Sequence, residues 1–109
     1  MVRCDQVRAL ALAQPEAAES PHFKRTSFRV RGKIFATMDE AGVNLPLDPA
    51  YAAEVVDREA AVTPIVWGAL KGRVRVELAT ARPGLLEQLI PLAWAQVVPK
   101  ALQRARAAA

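Results

Sequence analysis

The sequence predicts an α+β protein of two layers, an antiparallel sheet with helices packed on one face, in the order α-β-β-β-α-β-β-α. Three observations carry that prediction. Apolar and polar residues alternate with the period of a strand in two blocks, 27–38 and 65–78, each interrupted by a glycine suited to a tight turn. A proline-led helix signal lies between the blocks. Helical spacing of apolar residues marks both ends of the chain. At 109 residues the chain has the length of one domain, and no linker or internal repeat divides 1–109.

The opening "VRCDQVRALALA" places Val2, Val7, Leu10 and Ala11 near one stripe, with Arg3 and Arg8 outside it, and Pro15 marks the end of the helix. "QPEAAESPH" has no apolar period and two prolines, and reads as a surface connection. Ser27–Arg31 and Lys33–Met38 follow as strands, with Gly32 at the turn between them. "MDEAG" offers a second turn and "VNLPL" a third strand, in which Pro46 suits an edge or a strand end because proline gives the ladder no donor.

"LDPAYAAEVVDRE" is a helix with a complete start signal. Asp48 caps free backbone N–H groups, Pro49 fits the first helical position, and Tyr51, Ala52 and Val55 face the core. "TPIVWGALKGRVRVEL" reads as a hairpin of Ile65–Leu70 and Arg73–Leu78 with Lys71-Gly72 at its turn. The remainder, "ARPGLLEQLIPLAWAQVVPKALQRARAAA", is a long helical segment in which Pro91 removes the bond to the Glu87 carbonyl and Pro99 bends or ends the helix. Lys100, Arg104 and Arg106 suit the negative end of its dipole. The expected core includes Phe28, Val30, Ile34, Val74, Val76, Leu89 and Trp94.

These blocks, in this order, resemble the MmcQ/YjbR family. "ALALAQPEAAESPHFKRTSFRVRGKIFATM" is similar to the helix and first hairpin of that family, and "LPLDPAYAAEVV", "TPIVWGALKGRVRVEL" and "LLEQLIPLAWAQVVPK" are similar to its later blocks. The resemblance spans roughly 5–105 and implies a frataxin-like (CyaY-like) α+β fold. The family is described as DNA-binding on account of two winged hairpins and has no well-established reaction. Pro91 inside the last helix departs from the family pattern.

The charge is polarised. The formal net charge is +4, yet residues 22–38 carry Lys24, Arg25, Arg29, Arg31 and Lys33 with no acid, and 71–75 add Lys71, Arg73 and Arg75. With Phe28, Val30, Val74 and Val76 inward, the strand period turns Arg29, Arg31, Arg73 and Arg75 outward, and Lys33 and Lys71 stand at the turns. Six cations on one open face would track phosphates, with Trp67 stacking on a base if it emerges there. The same face would also dock an acidic protein surface, and arginine is in any case a common solvent-facing strand residue that discourages edge pairing. DNA and an acidic partner therefore stand as the two partner classes, with no membrane role.

An enzyme reading finds little. His22 is the only histidine and has no second ligand at metal spacing, and it reads as a loop residue. The five glycines give no phosphate-cradling motif. Cys4, the only cysteine, forms no internal disulfide and reads as a small, partly buried hydrophobe. The frataxin-like fold raises iron, but the first helix holds Asp5 alone among Arg3 and Arg8, and Asp39-Glu40 is an isolated turn pair, so neither a metal nor a cofactor is expected. No secretion signal opens the chain, and its most apolar window, Leu85–Val98, is broken by Glu87, Gln88 and Gln96, which points to the cytoplasm. The Arg- and Ala-rich composition points to a GC-rich bacterial genome.

Overall fold

The computed structural model describes residues 1–22, 24–66 and 71–102. Its elements are α1 (Cys4–Leu12), β1 (Ala17–His22), β2 (Arg25–Val30), β3 (Lys33–Met38), β4 (Gly42–Pro46), α2 (Pro49–Arg58), β5 (Val62–Pro64), β6 (Arg73–Glu77) and α3 (Pro83–Val97). Among the described residues six strands join one antiparallel sheet in the order β1-β2-β3-β4-β6-β5. The expected α+β class and one-sided packing of helices are found.

The sheet has one strand more than the sequence reading allowed. Ala17–His22, read as a connection, pairs with β2 along its whole length, from Ala17 opposite Val30 to His22 opposite Arg25. No residue of this edge strand is fully buried, and its half-buried residues, Ala17, Ser20 and His22, do not alternate, so no strand pattern marks it. It forms because β2 offers a free ladder edge, and tertiary pairing overrides weak local preference.

Residues that face the helices build the core. Phe28, Val30, Val43, Leu45, Val74 and Val76 from the strands meet Val7, Val55, Leu85, Leu89 and Trp94 from the helices, all of them buried. The Trp94 indole Nε1 donates to the Pro15 carbonyl at 3.0 Å, which ties α3 to the turn after α1. Asp48 caps α2 by accepting from the Tyr51 N–H at 3.2 Å, and Pro49 opens the helix. Gln6 does similar work for α1, its Oε1 accepting from the Arg3 N–H at 2.8 Å. Pro46 is the last residue of β4, a strand inside the sheet, so its missing donor falls at a strand end rather than on an edge. α3 continues through Pro91 and stops at Val97, ahead of Pro99.

Two local departures reshape the predicted faces. A bulge interrupts the β2–β3 pairing between Phe28 and Arg29: Phe28 opposes Ala36, Arg29 opposes Ile34, and Phe35 is the extra residue. Phe35 is fully buried, whereas Ile34, expected in the core, shares the open face with Arg29 and is only half-buried. The second departure is at the later hairpin. β5 is Val62–Pro64, and Ile65 and Val66, expected to open a strand over Ile65–Leu70, lie just beyond it, although the Ile65 N–H still donates to the Arg73 carbonyl. Residues 67–70, with Trp67, lie outside the described residues, as do Phe23, Arg104 and Arg106.

Candidate nucleic-acid interface

The helix-free face of the sheet carries the charge. Opposed residues in an antiparallel ladder point to the same side, so the register alone assigns this face. It displays Ala18, Ser20 and His22 of β1, Arg25, Ser27 and Arg29 of β2, Ile34 and Thr37 of β3, Asn44 of β4, and Arg73 and Arg75 of β6. Arg29 is half-buried and outward, its Nε donating to the Ser27 hydroxyl at 3.1 Å, and Arg73 is exposed. The register on which the basic face depends is therefore correct for β2 and β6.

A groove of about 610 Å³ crosses this face. His22 and Arg25 stand at one end, and Arg73 and Ile65 at the other. Ile34, Thr37 and Asn44 form its floor between them. From β2 to β6 is three strand spacings, about 14 Å, and the register offsets Arg25 from Arg73 by four residues along the strands, about 13 Å. The cations thus occupy opposite corners of a diagonal trough.

One carboxylate organises the groove. Asp39 Oδ1 accepts from the Ala41 and Gly42 N–H groups and from Arg75 Nη2, each at 2.9 Å. Asp39 Oδ2 lies 3.9 Å from Arg25 Nε. The hydrogen bond from Arg75, helped by the two backbone donors, holds the Asp39 carboxyl at about 2, well below its usual range. Arg75 Nη1 also donates to Asn44 Oδ1 at 3.1 Å, so its guanidinium is fixed at both ends. Gly42 makes room for it: a Cβ there would sit 2.7 Å from Arg75 Cζ. Asp39 lies in the turn that leads into β4 and Gly42 is the first residue of that strand, where the sequence alone shows only an isolated acidic pair. A register-level map pairing Asn44 with Arg75 was the signal that could have found them.

The six predicted cations separate. Arg29, Arg73 and Arg75 share the open face, joined by Arg25, which the sequence reading counted in the charge run but did not place in the site. Arg31 does not point out of a strand. With φ +51° it forms, with Gly32 at φ +80°, the two-residue turn between β2 and β3. There its guanidinium makes a two-fold bond to Glu16 at 3.0 and 3.1 Å, which lowers the Glu16 carboxyl below its ordinary value. Lys33 opposes Val30 and so lies on the helix side of the sheet, exposed at its margin. Lys71 lies beside α2, in a second groove with Ala53, Val56 and Pro64. Among the described residues no three His, Cys, Asp or Glu side chains gather as a metal cluster would.

Comparison with known proteins bears on the fold. The YjbR family model matches residues 12–96. The chain belongs to the YjbR family. Its backbone resembles the crystal structure of Deinococcus radiodurans protein DR2400, of domain family DUF419, with a TM-score of 0.75 at 21% sequence identity, covering 96% of this chain and 88% of that one. Identity at that level shows the fold alone. No curated protein matches the sequence. YjbR membership assigns no reaction to any of the groove residues, and among the described residues no helix is long and apolar enough to cross a membrane.

Proposed function

We propose that this YjbR protein is a non-catalytic nucleic-acid-binding protein that holds phosphates on the open face of its sheet. The observation that carries the reading is the set of Arg25, Arg29 and Arg73 on one open sheet face, Arg25 and Arg73 lining its groove and Arg29 outside that lining, with the nearest carboxylate, Asp39, hydrogen-bonded to Arg75 and 3.9 Å from Arg25. Arg29 and Arg73 make no ion pair among the described residues, so their charge is available to a polyanion. Glu77 shares the face but stands at the end of β6, outside the groove.

Three phosphate contacts give a salt slope of about −2 for a single strand and about −2.7 for a duplex, and dissociation constants of about 10⁻⁴–10⁻⁶ M at physiological salt. The test is a titration of labelled oligonucleotides against the protein across a range of salt concentrations. Replacing Arg29 and Arg73 together with Ala is expected to flatten the slope by about 1.4–1.8 and leave the fold intact. Absence of binding at low salt, or a double variant with the parental slope, would refute the reading and leave these arginines as a surface for an acidic protein.

A further inference from the structure

We infer that the groove takes a single-stranded nucleic acid with its bases turned inward, in preference to a duplex. The inference rests on the phosphate-binding reading above and narrows it to one form of the polymer.

Shape is the first argument. A recess of about 610 Å³ has the capacity of a small-ligand pocket, for which about 300–1,000 Å³ is usual. A duplex is convex, keeps its bases stacked inside, and would rest on the rim arginines with the recess unfilled. A single strand can place base rings in the recess while its phosphates meet the rim.

The apolar part of the lining is the second argument. Ile34 and Ile65 are half-buried apolar side chains lining a groove whose rim is cationic. Phosphate gains nothing from apolar surface, whereas the flat face of a base loses water on contact with it. Ile34 stands there because the bulge at Phe35 turns it outward.

Unused hydrogen-bonding capacity is the third argument. Asn44 Oδ1 is taken by Arg75, but the Asn44 amide nitrogen and the Thr37 hydroxyl have no protein partner among the described residues. Both lie on the floor, where the edge of an unpaired base would meet them. Arg73, exposed and without an ion pair among the described residues, offers a guanidinium plane on which a base can stack.

The test compares three labelled probes of about 12 nucleotides: a single strand, an abasic strand with the same backbone, and a duplex. It is run with DNA and repeated with RNA, because bases and phosphates are common to both. The intact single strand of at least one sugar type is expected to bind about tenfold more tightly than the abasic strand and the duplex, the size expected of one base contact. Ile34→Thr, which keeps the branched strand-forming shape, is expected to remove most of that advantage and leave abasic binding unchanged. Equal binding of intact and abasic strands, or a duplex that binds as tightly, would overturn the inference while phosphate binding stands. Failure of all three probes at low salt would overturn both.

Discussion

Asp39 offers the most direct separation of stability from binding, because the two should respond to its loss with opposite signs. Asp39→Asn keeps an oxygen that can accept from the Ala41 and Gly42 N–H groups and from Arg75, so the turn is held and the negative charge is what disappears. A carboxyl held at about 2 rather than 3.8 corresponds to about 2.4 kcal/mol at 1.36 kcal/mol per pK unit. Asp39 and Arg75 retain 28% and 33% of their side-chain exposure, so solvent screening reduces the figure to about 1–2 kcal/mol. For a domain of this size that is a melting-temperature loss of about 4–8 °C at pH 7. The folded-state value is the lower one, so the contribution is complete above about pH 4 and is lost as pH falls through 2. Urea denaturation of both proteins at pH 7, 4, 3 and 2 should show the gap between them closing over the acid end. Oligonucleotide affinity should move the other way. Arg75, its charge no longer offset by a carboxylate, adds a cation to the groove, and the salt slope should steepen by about 0.7–0.9. A stability gap that ignores pH would refute the assignment of charge to this pair. An affinity that is unchanged or weaker would refute the placement of the pair inside the interface.

Three further substitutions test the architecture. Gly72→Ala should cost more than about 2 kcal/mol in chemical denaturation, because φ is +88° and the added Cβ would collide with the Leu47 carbonyl oxygen. Arg31→Asn should leave oligonucleotide affinity within about twofold of the parent, since this residue is held by Glu16 at the turn and Asn suits the same left-handed conformation. Trp94→Phe should lower stability by about 1–3 kcal/mol, leaving the Pro15 carbonyl without the indole donor, as measured by urea denaturation followed by circular dichroism.

The sequence disclosed what local chemistry controls. Asp48 and Pro49 specify the start of α2, the alternation through Phe28 and Val30 specifies which side of β2 is buried, and Gly32 specifies a two-residue turn. Local chemistry is silent about β1, a polar strand that exists only because β2 has an edge to offer. It is equally silent about the bulge. Counting by twos along "KIFATM" cannot show that Phe35 is the extra residue, and that one residue decides whether Ile34 belongs to the core or to the groove. Arg31 escapes the pattern for a related reason: the alternation in the sequence runs one residue past Val30, into the turn. The site was legible as a concentration of cations but not as a groove, because its organising carboxylate, Asp39, meets Arg25 and Arg75 only after distant strands have paired.

The strand order has a consequence for how the molecule comes into being. β1 to β4 form an up-and-down meander whose neighbours in space are neighbours in sequence, so this half can assemble through short, rapidly closed loops. The joint between β4 and β6 is different: Gly42 meets Glu77 and Pro46 meets Arg73 across an intervening helix and strand. The groove straddles that joint, with Arg25 contributed by the early half and Arg73 and Arg75 by the late one. A nascent chain that has completed only the meander therefore displays half a trough and half its charge. On the phosphate-binding reading proposed above, the complete trough exists only once this long-range joint has closed, so an unfinished chain would lack it.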